Sequence, residues 1–269
     1  MRIASVSYLN ARPLIQGLDR NPDVQLSLAV PAKLIDLLRD GQADVALLPV
    51  IDYARLAGLA IVPAGGIASD GETLTVRIFS RVPIPQIRSL ACDSESHTSV
   101  ALARIILARR HSLRPEFCDL NRATENDPHQ ARLLIGDKVV CAPPDPRGGQ
   151  GRFDHQLDLG AEWKAMTGLP FVFAVWMARG NVDSTNLAEL LTAARQAGME
   201  QIDSIIRQFA LPRGWPAELA RKYLTHHLEY AIGPRHLEAI ERFLHLAAEE
   251  GIILSPPPPL VCKPSMPTM

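Results

Sequence analysis

The 269-residue sequence predicts an α/β fold, on three observations. Over roughly the first eighty residues, short apolar runs of strand length alternate with helical stretches, the order that builds a parallel sheet with right-handed crossovers. A second strand–helix–strand unit starts afresh at Ser89, beyond a break carrying Pro83 and Pro85. From about residue 178 onward the pattern is helical, as expected of a chain returning to cover its first sheet.

The elements follow in order. Ile3 to Val6 is a short apolar strand that empties into Ser7-Tyr8-Leu9-Asn10-Ala11-Arg12-Pro13. Asn10 suits a helix N-cap and Pro13 a first turn, so a helix is expected over Ala11 to Leu18. A strand running into a helix N-terminus leaves backbone donors at the carboxyl end of a parallel sheet, which favours anions there. A strand is expected at Val24 to Val30, and then a helix opened by Pro31, with Leu34, Leu37 and Leu38 on one face and Gly41 as its stop. Ala43 to Pro49 is almost continuously apolar, as in a strand covered on both faces. A short helix at Ile51 to Leu56 and a strand at Leu59 to Val62 follow.

Gly65 and Gly66 then introduce a turn over Ile67 to Glu72, and Thr73 to Val82 reads as a long strand ended by the two prolines. The first crossing between lobes is placed there. The second unit has a strand at Ser89 to Cys92, a Ser/Thr-rich turn, a helix from Thr98 to Arg110, and strands at Glu116 to Leu120 and Ala131 to Ile135. A loop covers residues 141–153, a short helix Glu162 to Thr167, and the strand Phe171 to Ala178 makes the return crossing. Under the two-lobed topology that the family resemblance of the motifs below implies, residues 1–82 with 178–269 are expected to form lobe 1, and residues 83–177 lobe 2. Helices are expected from Asp183 or Ser184, behind Pro216, and behind Pro234 with the stripe Leu237, Ile240, Leu244 and Ala247. Pro256 to Pro259 open a loosely held tail.

Composition narrows the function. The chain is 47% hydrophobic and 21% charged with a net charge of −1, so it has the make-up of a globular protein with neither a nucleic-acid groove nor an anionic-membrane face. The basic run Arg109-Arg110-His111 belongs at a helix C-terminus. No leader-like apolar segment follows Arg2, and no apolar run approaches the ~20 residues of a membrane span. Cys92, Cys118, Cys141 and Cys262 are isolated, with no Cys-x-x-Cys pair and no histidine at ligand spacing. The expectation is a reduced, cytoplasmic protein that uses neither metal nor cofactor.

Five blocks carry a resemblance. SVSYLNARPL at the N-terminus, ADVALLPVIDYARL (Ala43 to Leu56), CDSESHTSVALARIIL (Cys92 to Leu107), LLIGDKVV (Leu133 to Val140) and DLGAEWKAMTGLPFVFAVW (Asp158 to Trp176) together resemble the chorismate dehydratase family of the futalosine route to menaquinone. The resemblance implies a two-lobed periplasmic-binding-protein type II-like fold with the ligand in a cleft between lobes. It implies removal of water from the small-molecule substrate chorismate, giving 3-[(1-carboxyvinyl)oxy]benzoate. The sister dihydroxynaphthoate-forming enzyme opens with a Ser-Pro-Cys-Pro-Asn-Asp type of motif that is absent here. A non-catalytic anion binder or sensor of the same fold is the other alternative, and a homodimer stays open.

The resemblance also implies site residues. Asn10 matches the family's active-site asparagine, and an amide orients ligands without titrating; a plain N-cap is its other reading. Thr75 stands where the family usually has Ser, keeping the hydroxyl but adding a methyl that restricts the rotamer; an ordinary strand residue is its other reading. Ser7 and Arg12 extend the N-terminal motif, with Arg12 facing either a substrate carboxylate or a structural partner. Ser96, Thr98 and Ser99, favoured over Ser94, open the second lobe's helix and suit a carboxylate. Gly136 follows a buried strand at a cleft-facing turn, whereas Asp137 beside it would repel an anion. His97 is a candidate base or a surface histidine. With no Ser-His-Asp or Cys-His arrangement in these motifs, the substrate's enolpyruvyl carboxylate, folded over the ring, is expected to take the proton itself.

Overall fold

The computed structural model describes residues 1–93, 96–120, 129–143, 153–180, 185–254 and 256–262. The first sheet takes β1 (Arg2–Val6), β2 (Gln25–Ala29), β3 (Val45–Pro49), β4 (Leu59–Ser69) and, from late in the chain, β10 (Phe171–Arg179). Its order is β2-β1-β3-β10-β4. The second sheet takes β5 (Val76–Ser80), β6 (Ser89–Cys92), β7 (Glu116–Asp119), β8 (Ala131–Ile135) and β9 (His155–Asp158), in the order β7-β6-β8-β5-β9. Each sheet has three parallel strands flanked by an antiparallel one: β10 runs against β3 and β4, and β5 against β8 and β9. In both lobes that antiparallel strand is the one the chain lays down just after crossing.

This pattern moves the lobe boundaries from the expected ones. Val76–Ser80 pairs in the second sheet and Phe171–Arg179 in the first, so the crossings fall at 70–75 and 168–170 rather than at 82 and 177. An apolar run shows that a strand exists, but not which sheet it joins. The first crossing turns at Gly71 (φ 130°) and at Leu74, a non-glycine residue at φ 66°, rather than at the prolines. Gly65 and Gly66 likewise make no turn. β4 runs through them, with shifts of register against β10. A Cβ on Gly66 would lie 2.5 Å from the Ala174 carbonyl oxygen, so glycine serves close backbone approach.

The helices are α1 (Pro31–Arg39), α2 (His97–His111), α3 (Asp137–Cys141), α4 (Leu159–Thr167), α5 (Thr185–Glu200), α6 (Ile202–Ile205), α7 (Ala217–Lys222) and α8 (Pro234–Glu249). Ile206–Ala210 and Tyr223–His227 are π-helical turns that continue α6 and α7. The expected helix over 11–18 is instead two 3-10 turns, Leu9–Leu14 and Leu18–Arg20, parted by Gly17 at φ 78°. Pro13 inside the first turn has no N–H to continue an α-helix. Both β9 and the first turn of α4 lie ahead of the expected helix start at Glu162. They meet at Asp158, which accepts from the N–H of Gly160 and Ala161 as a helix cap.

The main core joins the sheets and helices, with Trp163, Trp176, Trp215, Tyr223, Phe171 and Phe243 among its largest buried side chains, and Phe79, Leu134, Val139 and Phe153 form a smaller cluster. The C-terminal segment is pinned rather than loose as far as Cys262. Tyr53 Oη donates to the Pro259 carbonyl and receives Val261 N–H, both at 2.8 Å, and Ile61 N–H donates to the Val261 carbonyl at 2.8 Å. The expected helix start at 183 or 184, most of the loop over 141–153, Ser94 and the end of the tail lie outside the described residues. Among the described residues no helix is long and apolar enough to cross a membrane, and no group of three His, Cys, Asp or Glu residues is placed to hold a metal ion.

Candidate active site

The carboxyl ends of β1 and β3, the first crossing, the start of α2 and the Tyr223 turn enclose a cleft of about 680 Å³ including its mouth. Tyr8, Asn10, Thr73, Thr75, Ser96, His97, Thr98, Ser99, Gly136 and Tyr223 supply its polar wall, and Val6, Leu47, Ile67, Ile135 and Phe173 much of the apolar one. No Lys, Arg, Asp or Glu lines it among the described residues. An anion there would be held by hydroxyls, amides and a helix N-terminus.

Asn10 sits inside the first 3-10 turn, where Tyr8 takes the N-cap position without a side-chain bond. Asn10 is therefore not a cap. Its Oδ1 is buried with no hydrogen-bond partner, as is the Thr73 Oγ1. Unpaired buried polar groups cost free energy, and an amide oxygen that accepts beside a hydroxyl that can also donate suits a polar ligand. Thr75 Oγ1 lies 2.7 Å from Tyr223 Oη, and the Asn10 side chain also bonds that phenol. Burial raises the Tyr223 pKa above the ordinary range, and the bonds to Thr75 and Asn10 only partly offset this. Tyr223 is thus a hydroxyl, not a phenolate, at neutral pH. Its ring stacks on Trp215 with centroids 5.0 Å apart at 20°.

The start of α2 forms the second polar wall, with Ser96, Thr98 and Ser99 all buried. Thr98 Oγ1 accepts Ile51 N–H at 3.3 Å, which ties the second lobe's helix to the turn after β3. His97 Nδ1 lies 3.0 Å from Oδ1 of Asp52, a fully buried carboxylate in that same turn that also meets Arg55 at 3.2 Å. An imidazole held at Nδ1 leaves Nε2 for other partners.

Asp158 organises the crossing. Its carboxylate accepts from the N–H of Thr73 at 3.0 Å and of Leu74 at 2.9 Å while capping α4, and so it fixes the backbone that carries Thr73 and Thr75 into the cleft. Gly160 lets α4 press against this segment, because a Cβ there would strike Gly71, Thr73 and Ser69. His227 Nδ1 holds the Glu72 carbonyl at 3.0 Å from the other side.

Six of the expected site residues, Asn10, Thr75, Ser96, Thr98, Ser99 and Gly136, come together in the cleft. Ser7 and Arg12 do not. Ser7 is exposed, and its carbonyl accepts from Arg12 and Arg213, each at 3.3 Å. The Arg12 guanidinium lies over the Phe209 ring at 4.1 Å, a structural cation–π contact, because the 3-10 turn rotates it away from Asn10's face. Gly136 (φ 60°) precedes α3, and Asp137 turns from the cleft to accept Trp215 Nε1–H at 3.0 Å, with Arg213 at 3.5 Å. Burial raises its pKa, against the pull of Trp215 and Arg213.

The sequence profile of the menaquinone biosynthesis family matches residues 1–249. The chain belongs to that family. Among curated relatives, the chorismate dehydratase of Thermus thermophilus is 30% identical over 242 residues, covering 82% of this chain and 87% of the relative. The chorismate dehydratase of Campylobacter jejuni is 25% identical over 241 residues, covering 88% and 89%. Two solved structures show the fold alone. A protein from Archaeoglobus fulgidus superposes with a TM-score of 0.74 at 17% identity, covering 94% of this chain and 98% of its own. The periplasmic aliphatic sulphonate binding protein of Escherichia coli gives 0.63 at 14%, covering 100% and 95%. The two-lobed, periplasmic-binding-protein-like architecture implied by the resemblance is the one observed.

Within this menaquinone biosynthesis family member, sequence reasoning missed Tyr223, Thr73, Asp52 and Asp158 as parts of the site. Tyr223 lies in Arg-Lys-Tyr-Leu-Thr-His-His, a generic helical stretch whose π-helical turn no local pattern announces. Asp158 carries the one usable signal, an acidic residue directly ahead of an apolar helical run.

Proposed function

We propose that the chain is a hydro-lyase that removes water from chorismate to give 3-[(1-carboxyvinyl)oxy]benzoate. The observation that carries this reading is the Asn10 amide, placed by the Tyr-Leu-Asn-Ala-Arg-Pro turn with a buried, unpaired Oδ1 in a cleft of hydroxyls, in a chain whose curated relatives are chorismate dehydratases. Chorismate carries two carboxylates and a hydroxyl. The hydroxyls and N–H groups at the start of α2 suit one carboxylate, and Asn10, Thr73 and Thr75 suit the ring hydroxyl and the enolpyruvyl arm.

The ring proton beside the ether and the neighbouring hydroxyl are lost, and the ring becomes aromatic. Much of the driving force is therefore in the product, and the protein's work is positioning. Among the described residues no carboxylate lines the cleft, which favours the substrate's own enolpyruvyl carboxylate as the base. The four free cysteines suit a reducing, cytoplasmic setting.

The test is incubation of the purified protein with chorismate in the absence of added metal or nucleotide, followed by mass analysis. Loss of one water, with the ultraviolet absorbance of a benzoate, is the expected result. Thermal stabilisation by chorismate without turnover would instead identify a binding protein.

A further inference from the structure

We propose that Tyr223 is the acid of this reaction, the hydroxyl that protonates the departing hydroxide. The inference rests on the chorismate reading and adds a residue to it. Three observations place the phenol. It lines the cleft beside Asn10 and Thr75, at 1% exposure. Its oxygen is 2.7 Å from Thr75 Oγ1 and bonds the Asn10 side chain, so the three polar groups converge on one point of the wall. Its ring is fixed by stacking on Trp215, whose Nε1–H is held by Asp137 of the other lobe at 3.0 Å. The Trp215 bond to Asp137 thus ties the phenol's stacking partner to the other lobe.

A departing hydroxide needs a proton; Tyr8 also brings a phenol to the cleft, and Tyr223 is the phenol whose oxygen lies 2.7 Å from Thr75 Oγ1. Asn10 has no acidic proton. Thr75, an aliphatic alcohol, is a far weaker acid than a phenol. Either hydroxyl can donate in the Thr75–Tyr223 pair; with Thr75 donating, the phenolic O–H is free to point into the cleft. Burial keeps that proton in place until a strong base forms beside it. The step balances. The C–H bond at the ether-bearing carbon breaks and its electron pair forms the new ring double bond. The C–O bond to the hydroxyl breaks, and the hydroxide takes the phenolic proton and leaves as water. The proton removed from carbon, carried by the enolpyruvyl carboxylate, restores the phenol. One water is lost and nothing is oxidised or reduced.

The experiment compares the wild-type protein, Tyr223→Phe, and a protein carrying 3,5-difluorotyrosine at position 223, a stronger acid of nearly the same size. Steady-state turnover of chorismate, calorimetric affinity for the enolpyruvyl benzoate product and melting temperature are measured for each. Tyr223→Phe keeps the ring and its stacking, so kcat is expected to fall by about 10² to 10³-fold, with product affinity within about threefold of wild type. The difluoro protein is expected to differ from wild type in kcat by at least about twofold, because proton transfer tracks acid strength. The proposal is overturned if Tyr223→Phe keeps more than about a tenth of the wild-type kcat, a loss too small for removal of a catalytic acid. It is equally overturned if affinity and melting temperature fall in step with kcat, or if the difluoro protein, which decides the matter should Tyr223→Phe not fold, matches wild type. Absence of turnover by the wild type itself would sink the chorismate reading and this step together; an active wild type with unaffected variants would sink only the step.

Discussion

His97 Nδ1 stands 3.0 Å from Asp52 Oδ1, and the two residues belong to different lobes. Together with the Ile51 N–H bond to Thr98, the pair joins the start of α2 to the turn after β3, on the cleft wall where an anion would sit. This makes His97 a binding and closure residue if the substrate supplies the base. His97→Gln is then expected to raise KM by about tenfold, the scale of one charge-assisted hydrogen bond, and to leave kcat within about threefold. A pH–rate profile for the variant checks it: a collapse of kcat together with loss of the basic group from the profile would make His97 the base.

Asn10 makes few bonds to the protein, and its Oδ1 has no partner. Asn10→Ala therefore removes little that holds the fold together. The expected outcome is a loss of about a hundredfold or more in kcat, the scale of one removed transition-state hydrogen-bonding group, with a melting temperature close to wild type. Activity assays paired with calorimetry would show whether function and stability separate at this position.

Thr75 is 2% exposed and shares its hydroxyl with Tyr223. Thr75→Val keeps the shape and strips the bond, leaving the phenol short of a partner in a buried place. A destabilisation of about 1–3 kcal/mol is expected, along with a marked fall in kcat. Thr75→Ser keeps the hydroxyl and removes only the methyl, and its activity is expected to lie within a few-fold of wild type. Denaturant unfolding and turnover of the two variants, measured side by side, test the hydroxyl apart from the methyl.

Asp158 accepts four backbone N–H groups, from Thr73, Leu74, Gly160 and Ala161. Asp158→Ala would uncap α4 and release the crossing at once. The cap alone is worth about 0.5–2 kcal/mol, and the stranded N–H groups add to it, so a loss of about 2–4 kcal/mol is expected. Asp158→Asn keeps an acceptor and is expected to lose less. Urea titration of both proteins provides the comparison.

Asp137 has a raised pKa because burial outweighs the Trp215 bond and Arg213. A carboxyl whose folded-state pKa is raised contributes most to stability at low pH, and that contribution is lost as pH rises through the folded value. Asp137→Asn cannot ionise, yet still offers Trp215 an oxygen. The melting temperature of the variant relative to wild type is therefore expected to climb from acid pH toward neutrality; a difference that is flat or reversed with pH would contradict the assignment.

Much of this molecule was legible in its sequence, and what was not has a common cause. The strand periods at Ile3 to Val6, Ser89 to Cys92 and Ala131 to Ile135, the Pro31 helix start and the motif around Asn10 are local signals, set by side-chain alternation, capping and proline geometry over a few residues. They determined the α/β class, most elements and, through the family resemblance, six residues of the cleft. Only the tertiary structure decided that Val76–Ser80 joins the second sheet and Phe171–Arg179 the first, that Arg12 turns to Phe209, and that Tyr223 reaches Thr75 across 148 residues of chain. Strand partners, ring stacking and buried hydroxyl pairs are contacts between distant segments. Their energy depends on what packs opposite, and no short window of sequence contains both sides.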